Sequence, residues 1–178
     1  SVEERLKDEL RKSEEHLRRL IRELEKALED SKRHADRLIK ENRDSLRRIE
    51  DKARKKIRGD EILDTIRKAL KDNRDELEKI LREVEEVDKE SKRRLEEILR
   101  TMREVNEESK DRLRKKDKDD ETVKRIIEEN RRINEDLARK IKEIIRDNKR
   151  FNEEVEEKLK RLNDTSEEIL RRLVRRDE

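Results

Sequence analysis

Residues 126–152 read IIEENRRINEDLARKIKEIIRDNKRFN. Ile126-Ile127 return eighteen residues on as Ile144-Ile145, Asn130 returns as Asn148, and Asn134 as Asn152. Eighteen residues make about five turns of a helix with ~3.6 residues per turn, so positions at that spacing point the same way. A strand alternates every second residue and cannot produce this pattern. The stretch therefore reads as one face of a helix, apolar enough to be buried and carrying amides within it.

Working outward, the same stripe runs from Val123 to Val174 with a mean step of ~3.6 residues. Similar stripes run from Leu63 to Leu113 and from Val2 to Ile57. A left-handed coiled coil would hold a step of ~3.5, whereas values nearer 3.6 leave helices straight. At ~100° per residue each stripe is about 120–140° wide, enough to face two neighbours. Gly59 and the charged stretch Lys115-Lys116-Asp117-Lys118-Asp119-Asp120 separate the three segments. Capping chemistry marks each start: Ser1 with Glu4 as a capping box, Asp60 before the second segment, and Asp119 or Asp120 before the third. Gly59 suits a left-handed position closing the first helix. Asn163-Asp164-Thr165-Ser166-Glu167-Glu168 has the composition of another cap, but the stripe crosses it without a change of phase, which predicts a continuous helix. The expected fold is all-α: a long, nearly straight, antiparallel up-down-up three-helix bundle. It forms a single domain over residues 1–178, with helices at about 2–57, 61–115 and 120–176, each about 80 Å long at ~1.5 Å per residue.

Composition narrows the function classes. Of 178 residues, 60% are charged and 28% hydrophobic; there is one Phe, one Met and one Gly, and no Pro, Cys, Trp or Tyr. No disulfide, thiolate nucleophile or cysteine metal site can form. The longest apolar run is two residues, so the sequence offers neither a transmembrane segment nor a targeting signal core, and a soluble protein is expected. Such charge also suits a disordered polyampholyte. However, Leu, Ile, Val and Phe make up about 24% of the chain, above the roughly 20% typical of disordered sequences. The net charge is only +3, and the periodic placement of the apolar residues decides for helices.

All eight Asn and six of the seven Ser lie on the apolar stripes. Folding the segments antiparallel about their junctions places these residues at matching heights. One polar layer is expected from Ser13, His16, Asn106, Ser109, Asn130 and Asn134. A second gathers Ser31, His34, Ser91, Asn148 and Asn152, with Asp88 near it. A third holds Asn42, Ser45, Asn73, Asn163 and Ser166. A satisfied hydrogen bond contributes only ~1 kcal/mol net, while a buried unpaired amide costs ~1–3 kcal/mol. Buried amides thus penalise wrong registers more than they stabilise the right one. Replacing Asn130, Asn148 and Ser166 by Leu is accordingly expected to preserve or raise stability while loosening uniqueness.

The eighteen-residue spacing, the stripe-confined Asn and Ser, the lack of Pro and Cys, and surfaces such as Arg22-Glu23-Leu24-Glu25-Lys26 are distinctive in combination. With these features the whole chain resembles de novo designed helical bundles with modular buried hydrogen-bond networks. Natural spectrin-like three-helix repeats would carry aromatic core residues, and here only Phe151 is present. The resemblance implies a synthetic structural scaffold without catalytic activity or cofactor. Two features depart from the pattern: the third layer lacks a His, and the 115–120 loop is unusually charged.

Other candidate sites carry less. His16 and His34 are about 27 Å apart along one helix at ~1.5 Å per residue, so they cannot share an ion. Each lies at the stripe boundary, where it can donate into an Asn/Ser layer. Paired carboxylates such as Glu85-Glu86 sit in no implied cleft, so no catalytic or metal-ligating residue is nominated. Arg58-Gly59-Asp60 matches an integrin-recognition tripeptide, yet each residue already has a place in a helix–turn–helix junction. Basic runs at Arg54-Lys55-Lys56 and from Arg112 to Lys118 are interleaved with acids and lack aromatics, which argues against nucleic acid. No partner is required by this reading. Its alternative is an interaction module whose Asn/Ser-containing stripes self-associate as a homo-oligomer or accept a designed partner helix.

Overall fold

The structure is a computed structural model that describes residues 2–115 and 119–178, with the backbone alone for Val2. The Ser1–Glu4 capping box and the charged residues 116–118 fall outside that description. The protein is an all-α three-helix bundle, with no strand among the described residues. Helix α1 spans Val2–Lys56, α2 Asp60–Arg114 and α3 Asp120–Asp177. Helix α3 runs unbroken through Asn163–Glu168, as the unshifted stripe predicts. Every helix has acids in its first turn and bases in its last, which complements the helix dipole.

The junction at Gly59 differs from expectation. Its φ lies outside the left-handed region, so this glycine does not close α1 as a left-handed cap. Helix α1 ends with the Ile57 N–H on the Ala53 carbonyl at 2.9 Å, and the Gly59 carbonyl accepts from the Leu63 N–H at 3.0 Å. Gly59 is therefore the N-cap of α2, and Asp60 is its first helical residue. The reason for a glycine is space: a Cβ here would lie 3.0 Å from Asp177 Oδ1. At the start of α3 the cap is Asp119. Its carbonyl receives the Val123 N–H at 3.2 Å and its carboxylate the Thr122 N–H at 2.8 Å.

The chain forms two compact units, and all three helices contribute to both. One unit comprises residues up to Glu29 with Lys89–Asn148; the other comprises Asp30–Asp88 with Lys149–Glu178. In the first, Leu17, Leu24, Leu28, Ile98, Met102, Leu137, Ile141 and Ile144 make a packed core, and Leu10, Leu113, Val123, Ile126 and Ile127 form a smaller cluster. In the second, Ile39, Leu46, Ile49, Ala53, Ile66, Leu70, Leu77, Ile80, Val155 and Leu159 fill the interior. Each buried Leu or Ile contributes about 1.5–3 kcal/mol. Most surface ion pairs join residues three or four apart on one helix, as Arg93 does with Glu90 and Glu97. Exposed pairs of this kind add only ~0.3–0.5 kcal/mol each.

Candidate functional site: the buried amides and hydroxyls

In the first unit three amides form a chain. Asn134 Nδ2 donates to Asn130 Oδ1 at 2.9 Å, and Asn130 Nδ2 donates to Asn106 Oδ1 at 3.0 Å. Two hydroxyls flank it: Ser109 Oγ accepts from Asn130 at 2.9 Å and Ser13 Oγ accepts from Asn134 at 3.3 Å. Asn106, Ser109, Asn130 and Asn134 are buried, and Ser13 is half-buried. Two atoms have no hydrogen-bond partner, Asn106 Nδ2 and Asn134 Oδ1. The chain of amides thus has one donor and one acceptor left over. Elsewhere in this unit, Asn148 Nδ2 donates to Ser91 Oγ at 2.8 Å and to the Ile144 carbonyl at 3.0 Å.

In the second unit the polar residues meet in pairs. Asn152 Nδ2 donates to Ser31 Oγ at 2.6 Å. Ser45 Oγ donates to Asn163 Oδ1. Asn73 Nδ2 donates to Ser166 Oγ, whose own hydroxyl donates to the Leu162 carbonyl. Asn42 turns back on its own helix, donating to the Leu38 carbonyl at 3.2 Å. The expected second and third layers are therefore not joined by these bonds into continuous networks. Ser91–Asn148 and Ser31–Asn152 belong to different units, and Asn42 contributes no bond between helices.

The eighteen-residue repeat returns as repeated bonding. Ser13–Asn134 and Ser31–Asn152 are both separated by 121 residues. Within the first unit, Ser109–Asn130 is repeated eighteen positions away as Ser91–Asn148. Continuing the same shift reaches Asn73 and Ser166, where the amide lies on α2 and the hydroxyl on α3. Because α2 and α3 are antiparallel, a downward step on one matches an upward step on the other.

Neither histidine joins the Asn/Ser bonds. His16 is exposed. His34 is half-buried and meets charged neighbours, with Arg37 Nη2 3.0 Å from its Nδ1 and Glu156 4.0 Å from its Nε2. A position at the stripe boundary gives the ring a choice between inside and outside, and here the outside wins because solvent and charged partners compete with the few inward acceptors. Among the described residues no group of three His, Asp or Glu side chains is placed to hold a metal. Among them, too, no helix is long and apolar enough to cross a membrane.

One polar contact has no signature in the stripes. Asp177, the last residue of α3, accepts the Arg58 N–H at 2.9 Å and the Gly59 N–H at 3.0 Å. Those amides lie in the connection between α1 and α2, ahead of the first turn of α2, where N–H groups have no partner within the helix. The two N–H groups hold the Asp177 carboxyl below the ordinary Asp value. Its residue type marks it as an acceptor for N–H groups, but at the C-terminal end of its own helix there are none to cap, so no local rule names its partner. Asp119 is lowered likewise by its hydrogen bonds with Thr122. Glu168 is lowered by Arg171 and Arg172, and Glu90 by Arg93.

No protein-family model, curated protein or solved structure matches the chain.

Proposed function

We propose that the protein is a structural scaffold of the designed helical-bundle kind, without catalytic activity, in which buried Asn–Ser pairs specify register and topology. The observation that carries this reading is the recurrence of one bond type at one spacing, Ser109–Asn130 and then Ser91–Asn148. A repetitive apolar stripe packs almost as well after a one-turn slip. The amides do not, because a slip faces them with Leu or Ile and leaves buried donors unpaired at ~1–3 kcal/mol each. Supporting it further, amide and hydroxyl exchange helices at Asn73–Ser166, so this pair is matched in composition yet reversed in direction.

That exchange suggests the experiment. Ser91→Asn alone opposes two amides, and Asn148→Ser alone opposes two short hydroxyls. The double variant S91N/N148S rebuilds a pair of the Asn73–Ser166 type. Each single change is expected to lower stability by about 1 kcal/mol or more, with the double recovering most of the loss. Equilibrium unfolding measures the coupling, and the dispersion of amide NMR signals reports whether one register is populated. Strict additivity with undiminished dispersion in both single variants would remove the basis of the reading. The scaffold is also expected to be self-sufficient. Light scattering should give 22.0 kDa at low and high concentration, and a larger mass would favour the associating alternative.

A further inference from the structure

Three hollows of comparable size open on the surface of the first unit, with volumes of about 350, 360 and 400 Å³. Charge separates them. The largest is lined by three bases and three acids, and the middle one opposes Lys12 and Arg131 to Glu9 and Glu135. The third, between α1 and α2, is lined by Lys7, Arg11, Lys110 and Arg114 with a single acid, Glu14, above Leu10 and Leu113. Both leucines are buried and form an apolar floor.

The one acid is already engaged. Arg18 Nη2 lies 2.9 Å from the Glu14 carboxylate and Lys110 Nζ 3.4 Å from it. Lys7, Arg11 and Arg114 pair with Glu3, Asp8 and Asp111 on their own helices, at 3.4, 2.6 and 3.4 Å. Those pairs are exposed on both sides, and exposed ion pairs at this spacing are weak enough to exchange for a better-placed anion. Long basic side chains also offer methylene stems as apolar wall while their charged heads remain at the rim. The volume lies at the small end of the range for small-molecule sites, ~300–1,000 Å³.

We propose that this hollow binds a single-chain amphiphilic anion, with the hydrocarbon tail on Leu10 and Leu113 and a sulfate or carboxylate headgroup among Arg11, Lys110 and Arg114. Guanidinium groups match such oxyanions by forked donation, and ammonium groups add charge. The site is independent of the scaffold reading, because none of its residues belongs to the Asn/Ser bonds. The test is an NMR titration of the full chain with octyl sulfate below its micelle concentration, following the Leu10 and Leu113 methyl signals. Octyl glucoside supplies the tail without charge, and sodium sulfate supplies the charge without a tail. Saturable shifts centred on those two leucines are expected with octyl sulfate, each control binding at least about tenfold more weakly. The variant K110E/R114E should weaken octyl sulfate about tenfold or more, while R93E, in the largest hollow, should leave it unchanged. If charge reversal disturbs folding, as seen by circular dichroism, K110Q/R114Q takes its place with a smaller loss expected. The proposal is overturned by absence of saturation, by equal binding of octyl glucoside, by shifts spread evenly over the surface, or by unchanged affinity in both charge variants.

Discussion

Consider Asn130→Leu. Asn130 is 1% exposed and makes three of the bonds described above, donating to Asn106 and Ser109 and accepting from Asn134. At ~1 kcal/mol net per satisfied bond the change removes about 3 kcal/mol. Burying the new side chain returns about 1.5–2 kcal/mol. The partners respond unequally. Asn134 keeps Ser13 and Ser109 can still donate its own hydroxyl. Asn106 loses its remaining bond, since its Nδ2 already has none. The expected net loss is about 1–2 kcal/mol. The sequence-based expectation for joint replacement of Asn130, Asn148 and Ser166 by leucine is preserved or raised stability; for Asn130 alone the hydrogen bonds predict a loss, because it is the residue through which the others are paired. Removing the whole set, as N106L/S109A/N130L/N134L, deletes donors and acceptors together and should leave stability near or above the parent. Urea unfolding followed by far-UV circular dichroism compares the three proteins. A single variant at least as stable as the parent, or a fourfold variant weaker than the single, would refute the reasoning.

Asp177→Asn should accelerate hydrogen exchange at the Arg58 and Gly59 amides, with little change at the amides of the α2 core from Ile66 to Ile80. Because the folded Asp177 carboxyl sits below its ordinary value of 3.8, its stabilising contribution is complete above that pH and is lost as pH falls through the lowered value. The variant should therefore show a shallower loss of stability on acidification, and an unchanged acid limb would count against the contact. Gly59→Ala should destabilise the parent through the 3.0 Å approach to Asp177 Oδ1 and through alanine's poorer standing as an N-cap; in a D177A background the first cost is removed and the loss should be smaller, and equal effects in both backgrounds would show that the carboxylate is not the obstacle. His16→Ala should change stability by less than about 0.5 kcal/mol, as for other exposed side chains, whereas a larger loss in thermal unfolding would return His16 to the polar layer.

The periodicity of the apolar residues is enough to locate the helices, because a helical face is a local property: Leu63 to Leu113 point one way whatever they pack against. The same logic places Asn130, Asn134, Asn148 and Ser166 inside. Partner choice is less legible, since helical phase specifies the direction of a side chain but not the rotamer that decides which neighbour it meets. Asn42 illustrates this, lying on the stripe and yet bonding to Leu38 of its own turn. The histidines are ambiguous because a ring at the stripe boundary reaches solvent as easily as the interior. The Gly59 junction defeats local reading because its requirement arises from Asp177, 118 residues away. No local rule of turn chemistry contains that carboxylate, and from its own helix Asp177 looks like one more charged terminal residue.

The amide chain Asn134–Asn130–Asn106 runs head to tail, each NH₂ facing the next carbonyl, with one serine beside Asn134 and another beside Asn130. Serine both donates and accepts. Turning all three amides over together therefore preserves every bond: Ser13 and Ser109 simply become donors, and the two leftover atoms exchange character. Turning the middle amide alone sets carbonyl against carbonyl on one side and NH₂ against NH₂ on the other. The row of dipoles can thus be bonded in either sense, and a reversal that keeps its bonds must turn all three amides. What the serines supply is indifference to sense, so the helices are aligned identically whichever way the row points.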